Sequence, residues 1–345
     1  DANDAATDTA MTLDLDANTL GITTEDIDTL TIDLGTVART IGGAGLEAQA
    51  NNDTAVTIAS TNDLTMTDEL ATGNSTIGVD DASLEEIDAD GTVSATLSGD
   101  LILTAAFGSE NDADITADDV DFQTTTTVEE GNLSITTTND ATLTGAVDVD
   151  GTMTVSSGGT VLIEVTSAVE NDVTLTGDDV TIDGADNLGA MTVAAGNISI
   201  TTTNDADING DITTTAGNIS ITSGKDVDVD GAFDASGTLT VSQTGTAGSI
   251  NFNDDLASDN DMTMTGDDVV VTGATTVAGD MSLTATGNDV TVSGTIDTSG
   301  NLTLTTQNDA GGDIVTTGQT VGADNDITMT SADLINAGAI NSTGA

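Results

Sequence analysis

The side chains that could do chemistry in this chain are almost all carboxylates. Of its 345 residues, 60 are Asp or Glu, two are Lys or Arg, and none is His or Cys. Thiol and imidazole chemistry are therefore excluded, together with a disulfide framework and a zinc finger. The formal net charge of −58 argues against nucleic acid or an anionic membrane as a partner, because both need clustered basic residues and only Arg39 and Lys225 exist.

Aspartate recurs at one position of a repeating pattern, usually after Asn or another Asp and just before a short segment of alternating polarity. The members of this column are Asp140, Asp179, Asp205, Asp226, Asp268, Asp289 and Asp309. Oxygen ligands at this density suit Ca²⁺, which makes these residues the candidate metal ligands and Ca²⁺ the candidate cofactor. The alternative is that they are solvated charges that keep a repetitive β-protein soluble and discourage edge pairing. The chain has neither the EF-hand spacing nor the Gly-Gly-x-Gly-x-Asp repeat.

Adjacent carboxylates could also act as acid and base in glycoside hydrolysis. Asp178-Asp179 and Asp267-Asp268 are such pairs, but they occupy equivalent positions in the repeat, which favours a structural role. The chain has no Gly-x-Ser-x-Gly motif and offers no general base other than a carboxylate. We therefore expect a protein that is not an enzyme.

The elements that position these residues are short strands. Residues 172–176, 261–265 and 301–305 alternate strictly between polar and apolar and are rich in Thr and aliphatic residues. This period of two is typical of half-buried strands, and Gly, Asn and Asp interrupt it as turns require. Since no stretch keeps helical spacing, the sequence predicts an all-β protein.

The strands recur in units of about 20 residues, each with three short strands. In one unit the predicted strands are 281–284, 289–293 and 295–297. Such a unit is too small to bury a core alone and must stack on its neighbours, which predicts a parallel β-solenoid (β-helix) with three strands per coil; a β-sandwich is the competing fold.

Stacking places equivalent residues of successive coils in columns. The second residue of each unit is apolar and forms the predicted inward column: Leu133, Met153, Val173, Ile198, Ile219, Leu239, Met262, Met281, Leu302 and Ile327. The third is always Ser or Thr and forms the predicted outward column: Ser134, Thr154, Thr174, Ser199, Ser220, Thr240, Thr263, Ser282, Thr303 and Thr328.

Asparagine often opens the first strand, after a glycine, as in Gly217-Asn218 and Gly300-Asn301. Stacked Asn side chains can hydrogen-bond from coil to coil, which predicts a structural ladder. Several of these positions also spell Asn-x-Ser/Thr, so glycosylation is the alternative.

The chain divides into two parts that differ in how evenly their strands are spaced. Residues 132–345 are predicted to be regular solenoid repeats, and residues 1–131 an irregular solenoid or capping region, because their strand spacing is longer and less even. A separate N-terminal domain is the alternative for this part.

Residues 217–222 and 225–231, together with residues 290–296 and 300–305, resemble the repeats of filamentous-haemagglutinin-type exoproteins. Those proteins are secreted bacterial right-handed β-helices, and the resemblance covers roughly residues 132–345. The secretion module at the amino terminus of that family is not recognisable here. The resemblance implies export and a role at the cell surface, and the start at Asp1, without Met, fits removal of an export signal or a fragment.

These observations together predict a non-enzymatic extracellular or cell-surface structural protein, stabilised by Ca²⁺. It would be a subunit of a filament, sheath or surface layer that assembles end to end, with a second copy as its main partner and other surface components or glycans as further partners. No run approaches the roughly 18 apolar residues of a membrane span.

The outward Ser/Thr column suggests an alternative function. Thr pairs two residues apart, such as Thr174/Thr176 and Thr263/Thr265, are similar to the ice-binding face of some antifreeze proteins, and an adhesin could present the same face. A simpler explanation is that Thr suits an exposed strand position.

Overall fold

The computed structural model describes residues 10–14, 22–23, 29–33, 39–41, 46–47, 55–60, 64–66, 69–72, 74–183, 190–307, 311–317, 320–331, 333, 335–336 and 338–342. Across these residues every regular element is a β-strand, and all described strand pairs are parallel. The chain is a parallel β-solenoid whose coils of about 20 residues each contribute one strand to each of three sheets. This confirms the predicted fold class. Two compact units divide at Leu162 and Ile163, within the strand β22 (Thr160–Ile163).

In the first unit, the three sheets are named by the order of their strands within a coil. The first-strand sheet comprises β1 (Ala10–Asp14), β3 (Thr29–Asp33), β6 (Ala55–Ala59), β9 (Asn74–Gly78), β12 (Val93–Thr96), β15 (Ala113–Ala117), β18 (Leu133–Thr137) and β21 (Met153–Ser157). The second-strand sheet comprises β4 (Arg39–Ile41), β7 (Leu64–Met66), β10 (Ala82–Leu84), β13 (Leu101–Leu103), β16 (Val120–Phe122) and β19 (Ala141–Leu143). The third-strand sheet comprises β2 (Ile22–Thr23), β5 (Leu46–Glu47), β8 (Glu69–Thr72), β11 (Glu86–Ala89), β14 (Phe107–Ser109), β17 (Thr126–Val128) and β20 (Val147–Val149).

The second unit has the same three kinds of sheet. Its first-strand sheet comprises β24 (Val173–Gly177), β27 (Ile198–Thr202), β30 (Ile219–Ser223), β33 (Leu239–Gln243), β36 (Met262–Gly266), β39 (Met281–Ala285), β42 (Leu302–Thr306) and β45 (Ile327–Thr330). Its second-strand sheet comprises β25 (Asp179–Ile182), β28 (Ala206–Ile208), β31 (Val227–Val229), β34 (Ser249–Phe252), β37 (Asp268–Val271), β40 (Val290–Val292), β43 (Ile314–Thr316) and β46 (Ile335–Asn336). Its third-strand sheet comprises β23 (Ser167–Val169), β26 (Ala190–Val193), β29 (Asp211–Thr214), β32 (Phe233–Ala235), β35 (Leu256–Ser258), β38 (Thr275–Val277), β41 (Ile296–Thr298), β44 (Thr320–Ala323) and β47 (Ala339–Ser342).

The core of the second unit lies inside the coils. It forms because apolar residues alternate with polar ones along each strand and the apolar side chains point inward. Val173 pairs in register with Ile198, and Ile198 pairs with Ile219. The predicted inward column from Val173 to Leu302 is at most 1% exposed, which confirms it there, whereas Ile327 is half-buried. Removing these side chains from water is the main favourable term that holds such short strands together.

The inward column of the first unit follows the same rule. Leu133 and Met153 pair in register and are fully buried. Three-strand coils also occur before Asn132: Ala113 pairs with Leu133, and Val93 with Ala113. A boundary at residue 131 stays a prediction.

Each unit also buries one pair of phenylalanines. Phe107 and Phe122 stack with ring centroids 5.3 Å apart, and Phe233 and Phe252 meet edge to face at 5.5 Å. Each of the four is at most 1% exposed. Since the chain has no Trp or Tyr, no aromatic ring is left for its surface.

Candidate functional site

The structure places the predicted aspartate column at the corner that leads into the second strand of each coil. Asp140, Asp205, Asp226 and Asp289 immediately precede β19, β28, β31 and β40. Asp179 and Asp268 are the first residues of β25 and β37. Asp309 lies outside the described residues.

Each of these six carboxylates accepts a hydrogen bond from a main-chain N–H of the next coil. In the second unit, Oδ1 of Asp179 accepts from the N–H of Asp205 (3.0 Å), and Oδ1 of Asp205 accepts from that of Asp226 (3.0 Å). Asp226 accepts from Ser249 (2.7 Å).

The same bond recurs in the other coils. It joins Asp268 to the N–H of Asp289 (2.9 Å), Asp289 to that of Asp313 (2.8 Å) and, in the first unit, Asp140 to that of Thr160 (2.7 Å). A corner N–H points away from the sheet ladder and would otherwise lack a partner, so the aspartate column is first of all a hydrogen-bonded corner ladder.

The ladder extends further towards the amino terminus than the sequence pattern indicated. Asp81 accepts from the N–H of Asp100 (2.9 Å), and Asp119 accepts from that of Asp140 (2.8 Å). Burial raises the pKa of Asp100, and the charges of Asp119 and Asp81 raise it further. The signal in the sequence was an aspartate before each second strand, hidden by the less even spacing of this part.

A Ca²⁺ site remains a prediction. In the described part of the chain, no group of three or more acidic side chains is arranged to hold a metal ion. The corner carboxylates have the oxygen chemistry that Ca²⁺ prefers, but one oxygen of each is already engaged by the next coil.

The corner before the first strand has its own ladder, built from both Asn and Asp. The amide of Asn218 donates to Oδ1 of Asn197 (3.0 Å), and that of Asn197 donates to Oδ1 of Asp172 (3.0 Å). Oδ1 of Asn218 accepts from the N–H of Thr238 (2.7 Å). This confirms the predicted structural ladder, in which the amide of one coil donates to the corner residue of the preceding coil.

Two outward aspartates beside the second corner were missed by sequence reasoning. Asp207 on β28 and Asp228 on β31 are register partners, and Oδ1 of Asp228 also accepts from the amide of Asn251 (2.6 Å). Partial desolvation raises the pKa of Asp207, whose side chain is still exposed, and the neighbouring charges of Asp228, Asp205, Asp179 and Asp226 raise it further. The signal was the spacing Asp205-Ala206-Asp207 followed by Asp226-Val227-Asp228, which puts carboxylates on one face of adjacent strands.

A groove of about 570 Å³ lies on the second-strand sheet of the first unit. Its polar lining consists of carboxylates, hydroxyls and one amide: Asp119, Asp121, Gln123, Asp140, Thr142 and Thr144. The Gln123 amide donates to Asp121 (2.8 Å), and Asp119 and Asp140 belong to the corner ladder. The polar groups of this groove are thus largely engaged with the protein itself.

The predicted outward column is present on the first-strand sheets. In the first unit Ser134 pairs with Thr154; in the second, Thr240 pairs with Thr263 and Thr263 with Ser282. These side chains lie outside the core, half-buried or exposed. The register therefore makes the outward hydroxyls a continuous surface feature of the second unit.

No family model, curated protein or solved structure matches the chain. The β-solenoid is established by the structure, while the filamentous-haemagglutinin type stays a resemblance of repeat pattern. The described part of the chain contains no helix with the length and apolar character of a membrane span.

Proposed function

We propose that this chain is a non-enzymatic structural solenoid that works outside the cell, as a subunit of a filament, sheath or surface layer. The observation that carries the proposal is the corner ladder, in which Asp179, Asp205 and Asp226 join successive coils through the same bond. An arrangement repeated at coil after coil stabilises the array as a whole and favours no single coil as a reaction centre.

The charge of the chain supports a location outside the cell. A net charge of −58 keeps a repetitive β-protein soluble and opposes lateral sticking of its sheets. Extracellular fluids supply divalent cations that can neutralise such a surface. The resemblance to secreted exoproteins points the same way.

Assembly with a second copy follows from the kind of contact that joins the coils. Every described strand pair is parallel, the coils carry apolar residues inside, and many of their corners carry Asn or Asp. A coil of another copy would meet the same arrangement, and head-to-tail contacts that do not close produce filaments.

Electron microscopy of the purified protein tests the assembly, because a filament, a sheath and a layer are distinguishable by eye. We expect ordered assemblies whose amount rises with protein concentration and with Ca²⁺, compared with NaCl of equal ionic strength. Single copies at every concentration, with Ca²⁺ and with a chelator, would contradict the assembly proposal.

Protease protection tests the location. Protease added to intact source cells should degrade the chain while a cytoplasmic marker survives. Survival of the chain in cells whose surface proteins are digested would contradict an extracellular role.

A further inference from the structure

The first-strand sheet of the second unit carries two outward columns of hydroxyls in register. The first column contains Thr174, Ser199, Ser220, Thr240, Thr263, Ser282, Thr303 and Thr328. The second contains Thr176, Thr201, Thr222, Ser242, Thr265, Thr284, Thr305 and Thr330. We call these two columns the hydroxyl face.

The hydroxyl face is uncharged in a chain with 60 acidic residues. The outward positions of the other sheets of this unit do carry carboxylates, such as Asp207 and Asp228 on the second-strand sheet and Asp234 and Asp297 on the third-strand sheet. Carboxylates border the hydroxyl face at the corners, as at Asp172, but none enters its two columns. Solubility alone would not require this separation, since charge is tolerated at outward positions elsewhere.

The hydroxyls of the face are not engaged within the described protein: none of the sixteen makes a hydrogen bond to another described group. Hydroxyls at the corners behave differently, since that of Thr203 donates to Asp178 and that of Thr238 donates to Asn218. All sixteen face residues are half-buried or exposed, so their hydroxyls face outward.

The spacing of the face is regular and its side chains are stiff. Neighbouring strands lie about 4.8 Å apart, and residues two apart on a strand lie about 6.6 Å apart. Thr is restricted at χ1 by its branched Cβ, and the alternate residues of each strand are anchored in the core. A rigid two-dimensional array loses little entropy when it binds a partner that has an order of its own.

We propose that the hydroxyl face binds ice, through its regular array of hydroxyls and methyl groups. The partner that such an array complements is uncharged, forms hydrogen bonds and has a periodic surface. A glycan is disfavoured because sugar rings are commonly held by stacking on aromatic side chains, and Phe107, Phe122, Phe233 and Phe252 are all buried. A second copy is disfavoured at this face because two chains of charge −58 would bring their bordering carboxylates within a Debye length of about 8–10 Å.

Thermal hysteresis and partition of the intact protein into slowly growing ice test the proposal. The disrupting variant is Thr263→Tyr, which places a bulky ring in the middle of the face. The matched control is Thr276→Tyr on the third-strand sheet, where an equally outward Thr lies between Ala257 and Asp297. Thermal melts show whether each variant is folded, and the gentler Thr263→Val and Thr276→Val serve if a tyrosine prevents folding.

We expect the wild type and the Thr276 variants to show hysteresis and to enter ice, and the Thr263 variants to lose most of both. Absence of both activities in the wild type would overturn the proposal, as would an equal loss in Thr263 and Thr276 variants. Binding to crystalline cellulose or chitin without ice activity would overturn it in favour of a glycan. If the wild type formed a dimer without ice activity, and the Thr263 substitutions but not the Thr276 substitutions abolished that dimer, the proposal would be overturned in favour of a second copy.

Discussion

Each corner aspartate of the ladder accepts a hydrogen bond from a main-chain N–H of the next coil that has no partner within the sheets. The chain uses Asn for the same task at the neighbouring corner: the N–H of Asn218 donates to Oδ1 of Asn197 at 2.9 Å, and that of Asp226 donates to Oδ1 of Asp205 at 3.0 Å. The acceptor oxygen is thus the structural requirement, and the negative charge is an addition. The two contributions can be separated by substitution.

Asp205→Ala should lower the free energy of unfolding by about 1 kcal/mol, because it leaves the half-buried N–H of Asp226 without its acceptor. Asp205→Asn should be neutral or stabilising, since it keeps the acceptor and removes one charge from a crowded column. Denaturant titration of both variants measures the difference. Equal stability of the Ala and Asn variants would show that the ladder bond contributes nothing.

Asp207 gives the protein a pH dependence of known sign. Partial desolvation and four neighbouring carboxylates raise its pKa above the ordinary 3.8, so the folded state binds this proton more tightly than the unfolded state. Stability should therefore rise as the pH falls from neutral through the raised pKa, and this gain is complete below 3.8.

Asp207→Asn should accordingly stabilise the protein at neutral pH by about 0.2–1 kcal/mol, the scale of side-chain pair interactions across neighbouring strands, since like charges directly opposite are destabilising. Its advantage over the wild type should shrink as the pH approaches 3.8. Asp297→Asn is the matched control, because its register partners Thr276 and Gly322 are uncharged. Melting curves between pH 7 and 4 measure the stability of both variants and the wild type. A stability advantage of Asp207→Asn that does not change with pH would contradict the electrostatic explanation.

At the scale of the strand and the corner, close stacking of coils restricts which residues fit. A Cβ added to Gly217 would lie 1.8 Å from the carbonyl oxygen of Gly196 in the preceding coil. At Gly322, within β44, the nearest atom to an added Cβ is the carbonyl oxygen of Ile296 at 3.5 Å, an ordinary contact. Glycine is therefore required at the first position and dispensable at the second.

Gly217→Ala should destabilise the protein by about 1–3 kcal/mol, because the backbone of one coil must move away from the next. Gly322→Ala should be neutral or stabilising by up to about 1 kcal/mol, since Ala loses less conformational entropy in a strand than Gly. Thermal unfolding of the two variants side by side provides the measurement. A Gly217 variant as stable as the Gly322 variant would show that the coils can separate there without loss.

The strands were predictable because each carries its own periodic pattern. Alternation identified the inward Ile219 and the outward Ser220 individually, and the predicted ends of the strands in residues 281–297 lie within one residue of β39, β40 and β41. The role of the corner aspartates was not predictable to the same extent. Asp179 accepts its hydrogen bond from the N–H of Asp205, which lies 26 residues further along the chain. The sequence pattern alone suits an aspartate that ligates a metal and one that accepts a hydrogen bond equally well.

At the scale of the whole molecule, charge is the dominant problem of this sequence. With 60 acidic and two basic residues, ion pairs within the chain can neutralise only a small part of the charge. The fold adds to the problem, because it stacks Asp179, Asp205 and Asp226 in successive coils. Two unit charges 4.8 Å apart repel by 332/(80 × 4.8), or about 0.9 kcal/mol in water, and by about 3.5 kcal/mol at an effective dielectric constant near 20.

Cations from solution should therefore contribute to stability in proportion to how closely they approach the corner columns. We expect Ca²⁺ to raise the melting temperature more than NaCl of equal ionic strength, because a divalent ion can neutralise two stacked carboxylates at once and carboxylate oxygen is its preferred ligand. A chelator should reverse the shift. The Asp205→Asn variant should respond less to Ca²⁺, whereas Asp297→Asn, on another sheet, should respond as the wild type does. If Ca²⁺ and NaCl at matched ionic strength shift the transition equally, the columns are screened by the general ionic atmosphere and hold no Ca²⁺ of their own.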